Sequence, residues 1–218
     1  MKPKPFSKQA GFTLVEISIV LVIIGLLIGG VLKGQELINS AKVKNLAKDF
    51  SSTQTILYAY QDKFRALPGD DSRAPGHVCP SGIPSCVTAG NGNGTIDGDW
   101  DAAATASVES IYFWQHVRFA NLATGSTDTS NPNFLPLNSV GGRIGVQSGG
   151  SAAPLGVPGS YVICSAGIPG KLVRQLDSTL DDGDPETGTM RVGITTAGPA
   201  VSIASINDGA TYVACLGF

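Results

Sequence analysis

Histidine occurs only twice in the chain, at His77 and His116, and there is no C-x-x-C, H-E-x-x-H, G-x-S-x-G or dinucleotide-binding fingerprint. The familiar arrangements for zinc hydrolysis, acyl transfer and nicotinamide binding are therefore missing. Charged side chains make up 15% of the 218 residues and sum to −2, so no global field attracts nucleic acid. Proline is missing from Phe6 to Leu67, which leaves that whole stretch free to be helical. Acidic residues are missing before Glu16, whereas Lys2, Lys4 and Lys8 precede it.

The long apolar run is what the chain does have. Phe12 to Leu32 carries one charge, Glu16, and fifteen of its residues are Phe, Leu, Ile or Val. About 20 such residues span a bilayer's hydrocarbon core. At roughly −0.3 to −0.6 kcal/mol each they contribute about −4 to −9 kcal/mol to insertion, against about 2.5 to 3.5 for a central carboxylate. The segment is expected to insert, its lysine-rich flank holding the N-terminus in the cytoplasm while the rest is exported. A secretory signal carries its small-residue cleavage site after the apolar run. Here the small residue, Gly11, stands before it, so cutting there would keep the hydrophobic helix and free an amine on Phe12.

Gly11-Phe12-Thr13-Leu14-Val15-Glu16 and the apolar run resemble the prepilin cleavage and methylation motif of type IV pilins and type II secretion pseudopilins. The resemblance implies a membrane prepilin peptidase that cuts after Gly11 and N-methylates Phe12. It also implies an assembly role for Glu16, with Thr13 beside it, in which the carboxylate neutralises a neighbouring subunit's N-terminal amine. A buried carboxylate gains from such an opposite charge within about 4–6 Å. The implied partners are other pilin subunits, the peptidase and an inner-membrane assembly platform. The implied location is the inner membrane as a single-pass protein, then a periplasmic or cell-surface filament.

Cys79, Cys86, Cys164 and Cys215 all follow the membrane segment, and four exported cysteines read as disulfides with three possible connectivities. Cys79–Cys86 and Cys164–Cys215 are favoured. The first closes a loop bent by Pro80, Gly82 and Pro84, and the second joins two apolar runs, Tyr161–Cys164 and Thr211–Leu216. The spacing of the cysteines and histidines does not fit zinc.

Leu46, Phe50, Leu57, Tyr60 and Phe64 form one helical stripe, so the membrane helix is expected to continue to about Arg65 with an amphipathic second half. Gly29, Gly30 and Gly34 weaken the join. Leu67-Pro68-Gly69-Asp70-Asp71 ends the helix, and loop is expected to about Ala106. Within it, Asn91, Asn93, Asp97, Asp99 and Asp101 alternate with glycine and resemble part of a calcium loop, though not an EF-hand. The competing reading is a glycine-rich turn array. No cofactor is assigned beyond this candidate structural calcium; Asp181–Pro185 is a weaker candidate of the same kind.

Val108–Leu122 reads as a second helix, with His116 as a core or surface residue. Ala123–Ser160 reads as a surface excursion with one strand-like piece at Arg143–Val146. Pro169 is expected to open a short helix that ends at Gly183, and strands are expected at Tyr161–Cys164, Met190–Ile194, Val201–Ile203 and Thr211–Leu216. The LPGDD turn, the GNGNG loop and the DDGDPETG turn resemble a subgroup of prepilin-type proteins of Gram-negative bacteria.

The expected fold is α+β and pilin-like: a long N-terminal helix packed on a small antiparallel sheet with accessory helices. Residues 1–11 would be the leader, 12–65 the long helix with 12–32 in membrane or filament core, and 66–218 the exported domain. The expected function is a structural, non-enzymatic subunit of a type IV pilus or similar filament. The alternatives are a periplasmic pseudopilin of a type II secretion or DNA-uptake system, and a membrane-anchored adhesin.

Overall fold

The computed structural model describes residues 11–83 and 86–218; residues 1–10, where the leader is expected, and Pro84 and Ser85 within the first cysteine loop, lie outside the described residues. The chain forms two compact units, one ending at Ala41 and one running from Lys42 to Phe218. Helix α1, Leu14–Phe64, contributes to both and is unbroken through Gly29, Gly30 and Gly34.

In the first unit, the helix exposes its large apolar side chains, Leu14, Leu21 and Leu26 among them. Its most apolar window has a mean hydropathy of 2.7, long and apolar enough to cross a membrane.

In the second unit, α1 buries Val43, Leu46, Phe50, Thr53, Leu57 and Tyr60. Steps of 3 and 4 put these on one face. The helix stops because Arg65 turns left-handed (φ 55°) while its N–H still bonds the Gln61 carbonyl at 2.8 Å. Pro68 bars any continuation.

The α1 stripe packs over a four-stranded antiparallel sheet of β1 (Ile144–Ser148), β2 (Tyr161–Pro169), β3 (Met190–Gly193) and β4 (Thr211–Gly217), in the order β1-β2-β4-β3. Period-2 alternation sorts the sheet's two faces. Ile163, Ile168, Val192, Tyr212 and Ala214 join the core that contains the α1 stripe. Val162, Cys164 and Cys215 face the other way, against Trp100, Leu155 and Val157. The fold is thus α+β, a long N-terminal helix packed on a small antiparallel sheet with accessory helices.

Three short helices complete the second unit: α2 (Ala74–Val78), α3 (Glu109–Phe119) and α4 (Gly170–Leu180). Cys79 is bonded to Cys86, and Cys164 to Cys215, the latter pair standing directly opposite each other across β2 and β4.

Several local expectations need correction. Val201–Ile203 is not a strand: Val201 donates one backbone bond to Val192, then the chain coils into a 3-10 turn at Ile203–Ser205. The strand at Tyr161 does not stop at Cys164 but passes an irregularity between Ser165 and Ile168 and ends at Pro169. Pro169 caps α4 from outside, and the helix ends at Leu180, before Gly183. Nor is 123–160 merely a surface excursion, because Phe134, Val146 and Val157 in it are buried. The guanidinium of buried Arg118 holds this stretch down. It lies 4.9 Å from the centre of the Phe134 ring and donates to the carbonyls of Ser126 and Phe134 at 2.8 and 2.7 Å.

On α4, Asp177 is fully buried, and among the described residues neither carboxylate oxygen has a well-formed hydrogen bond, the Gly183 N–H offsetting its burial only in part. Burial, with the charges of Asp182, Asp181 and Asp184 added, pushes its carboxyl up to about 6. Because the folded value exceeds the unfolded one, the folded chain binds the extra proton between about pH 4 and 6. Stability is therefore lost as pH rises through that window. Asp177→Asn is expected to raise stability at pH 7.5 by on the order of 1–2 kcal/mol and to change nothing near pH 3.5, as read by thermal melting at both pH values.

Candidate processing and assembly site

Gly11, Phe12 and Thr13 precede the first helical residue, and Phe12 is 83% exposed. Thr13 closes the helix start. Its Oγ1 accepts the Glu16 N–H at 3.2 Å, while its own N–H and hydroxyl both donate to Glu16 Oε2 at 2.8 Å. This reciprocal pattern is a capping box, in which side chains satisfy backbone donors that a helix start leaves without partners. Glu16 therefore has a role inside its own chain that was not assigned from the sequence. The Thr-x-x-Glu spacing before an apolar run was the signal for it.

Beyond the cap, the helix presents apolar side chains on all sides through Leu32. A surface of that kind needs lipid or protein to cover it. Three non-helical residues, a capped start and an exposed apolar helical run stand together in that order.

Residues 6–32 match the family model of the prokaryotic N-terminal methylation motif. The chain carries the type IV pilin and pseudopilin signature. The methylation motif covers Gly11, Phe12, Thr13, Glu16 and the apolar run, and it implies a structural protein that associates with other subunits of its kind. A comparison with curated proteins gives no match. Together with the apolar helix, the methylation motif fits membrane anchoring before assembly.

The glycine–asparagine loop belongs to the second unit. Asn91, Asn93 and Asp97 come together there. The amide nitrogens of both asparagines donate to Asp97 Oδ2 at 2.9 Å, and Thr95 Oγ1 donates to Oδ1 at 2.8 Å. The Asn91 and Asn93 oxygens accept backbone N–H bonds from Asn93 and Thr95, which fixes both amides with nitrogen toward the carboxylate. The Thr95 hydroxyl and these amides hold the Asp97 carboxyl below its ordinary range. Calcium needs six to eight oxygens, and here donors face the one carboxylate. The Asp99 and Asp101 carboxylates make no hydrogen bond to the cluster; their backbone carbonyls serve Ala102 and Ser110, and Arg143, respectively. Among the described residues no group of three His, Cys, Asp or Glu side chains is gathered for a metal ion.

Buried acids hold this loop. Asp70 accepts the N–H groups of Asn93 and Gly94 at 2.9 Å each, and Glu109 those of Asn91 and Asp97 at 2.8 and 3.0 Å. Gly90 is required where the loop crosses the turn, since a Cβ there would lie 2.3 Å from Asp70 backbone. Asp71 receives the Tyr60 hydroxyl at 2.8 Å and stands 2.6 Å from His77 Nδ1. His116 is fully buried; its Nδ1 accepts the Gly69 N–H at 3.0 Å, which leaves Nε2–H to donate to the Thr88 carbonyl at 2.7 Å. Burial lowers its pKa, so it is a neutral structural residue. Asp70→Ala is expected to cost about 2–3 kcal/mol, because bonds to a charged acceptor contribute about 1.5–3 each and the freed N–H groups regain some water. Thermal melting together with amide exchange at Asn93 and Gly94 measures it.

Proposed function

We propose that this chain is a structural subunit of a type IV pilus or pilus-like filament. Prepilin peptidase cuts after Gly11 and methylates the new amine on Phe12. Residues 12–65 then act as the assembly helix, 12–32 lying first in the inner membrane and later in the filament core. Residues 66–218 form the exported domain. Its partners are further pilin subunits, the peptidase and the inner-membrane assembly platform, and its final place is a periplasmic or surface filament.

The observation that carries this reading is a helix start capped by Thr13, two residues after Gly11, followed by an all-round apolar run to Leu32 with one acid. Removing the leader takes away Lys2, Lys4 and Lys8, leaving 12 basic and 17 acidic residues, a mildly acidic exported protein.

Mass spectrometry of intact protein and N-terminal peptides, on sheared surface material and on membranes, tests it. N-methyl-Phe12 as first residue in the sheared fraction supports a pilus subunit. The same species confined to membranes supports a pseudopilin of a secretion or DNA-uptake system. Protein that begins at Met1 in both fractions sinks the reading.

A further inference from the structure

Arg118, near the end of α3, is only 6% exposed, yet among the described residues no carboxylate acts on it. Burial lowers its pKa, but a guanidinium stays charged at neutral pH. Its charge is met by ring faces and carbonyls alone. The Trp114 and Phe134 rings lie 5.8 and 4.9 Å from Cζ. Nε donates to the Thr124 carbonyl, and Nη1 to those of Ser126 and Phe134. A guanidinium has five N–H donors, and these bonds use three. Nη2 makes no hydrogen bond among the described residues, and it is not sealed from solvent. A buried cation therefore ends in an open edge without a counter-charge.

Arg118 lines a cavity of about 420 Å³ in the second unit, and Gly125 lines it too. A Cβ at Gly125 would stand 2.8, 2.9 and 3.0 Å from Nε, Cζ and Nη2 of Arg118. The glycine is thus what leaves this edge of the guanidinium bare. Arg143 adds a second positive charge to the lining, but its Nη1 and Nη2 are turned to the Asp101 and Ala102 carbonyls, so it supplies field rather than a ligand bond. The Asp101 carboxylate acts on Arg143 from outside the lining, which holds no acid among the described residues. Pro132, Leu135, Pro136 and Leu137 make the wall largely apolar, and Leu137 is 65% exposed.

Small-molecule sites are cavities of about 300–1,000 Å³, mostly apolar with a few polar groups that fix orientation. This cavity has that size and that make-up. Inorganic phosphate would leave the proline and leucine side chains uncovered, and a neutral ligand would leave the buried cation unpaired, which is costly. We propose that the cavity is a binding site for a small organic acid. Its carboxylate takes the two free N–H groups of Arg118 Nη2, in charge-assisted bonds, while its apolar body lies against Pro132, Pro136 and Leu137. The site is independent of how the N-terminal helix is processed or assembled.

The test titrates the isotope-labelled full chain in detergent micelles with benzoate, benzamide, inorganic phosphate and the dipeptide acid acetyl-Ala-Leu. The Arg118 Nε–H and Gly125 N–H resonances are followed. The expected result is saturable shifts with benzoate, with benzamide and phosphate each weaker by about tenfold or more, since charged acceptors bond more strongly than neutral ones. Weaker binding of the dipeptide acid than of benzoate assigns the site to a free acid rather than a peptide end. Asn133 and Leu137 are exposed lining residues, so their variants test the site without lowering the melting temperature. Asn133→Asp puts a carboxylate into the lining and should weaken benzoate about tenfold; Leu137→Ser removes apolar wall and should weaken it several-fold. No saturable shift, an equal response to benzamide, tighter binding of the dipeptide acid, or benzoate binding that both variants leave intact would overturn the proposal.

Discussion

A Cys164→Ala/Cys215→Ala double variant is expected to lose about 4 kcal/mol of stability, nearly twice the loss for Cys79→Ala/Cys86→Ala. The difference follows from the loops that each bond closes, 51 residues apart in the first case and 7 in the second. The chain-entropy model gives about 4.1 and about 2.4 kcal/mol for loops of these lengths. Packing widens the gap. Cys164 and Cys215 are fully buried against Trp100, Leu155, Val157 and Val162, so their truncation also leaves space in a close-packed layer. Cys79 and Cys86 are only partly buried, and they pack at the margin of the larger core. For a unit of this size, 4 kcal/mol corresponds to roughly 8–16 °C in melting temperature. Melting followed by tryptophan fluorescence reads both sides of the sheet, through Trp100 in the disulfide layer and Trp114 in the larger core. Equal losses for the two pairs would show that loop length is not what sets their worth.

The parts of this fold that were legible in the sequence are those governed by one period or one local rule. The α1 stripe could be seen because Leu46, Phe50, Leu57, Tyr60 and Phe64 recur at helical spacing; Val43 and Thr53 complete the same face and were hidden, and Phe64 is only partly buried. The apolar run and the lysine leader are similarly local. What escaped notice depends on contacts between distant residues. Phe134 sits in a stretch dense in Gly, Ser, Asn and Pro, and its burial rests on Arg118, sixteen residues earlier, being folded over its ring. Val201 has strand-like neighbours, yet one backbone bond to Val192 is all the pairing it finds. The asparagine–aspartate loop is the sharpest case. Its composition allowed either an ion cage or a turn array, and the difference lies in which end of each amide points inward. Backbone donors at Asn93 and Thr95 set that, and spacing alone does not encode it.

Replacing Glu16 is the change expected to have the largest consequence for assembly, and three substitutions separate its two roles. Glu16→Leu removes both the cap acceptor and the charge. It makes membrane insertion easier, by less than the about 2.5–3.5 kcal/mol of a central carboxylate because Glu16 lies near one end of the apolar run, so mature protein should still accumulate in membranes. If the carboxylate pairs with a neighbour's Phe12 amine in the filament, its loss leaves that amine buried alone, at a cost of about 3–5 kcal/mol per contact. Each 1.4 kcal/mol is tenfold, so filament yield should fall by roughly two to three orders of magnitude. Thr13→Val keeps the charge and removes the hydroxyl that bonds Glu16 N–H and Oε2. Loss of a cap costs about 0.5–2 kcal/mol, a several-fold fall at most. Glu16→Gln is the deciding variant, because its amide oxygen can still accept the Thr13 N–H while the charge is gone. It should assemble as poorly as Glu16→Leu. If it assembles like the parent chain, with sheared filaments counted by immunoblot, Glu16 serves its own helix through the capping box and the intersubunit ion pair is wrong.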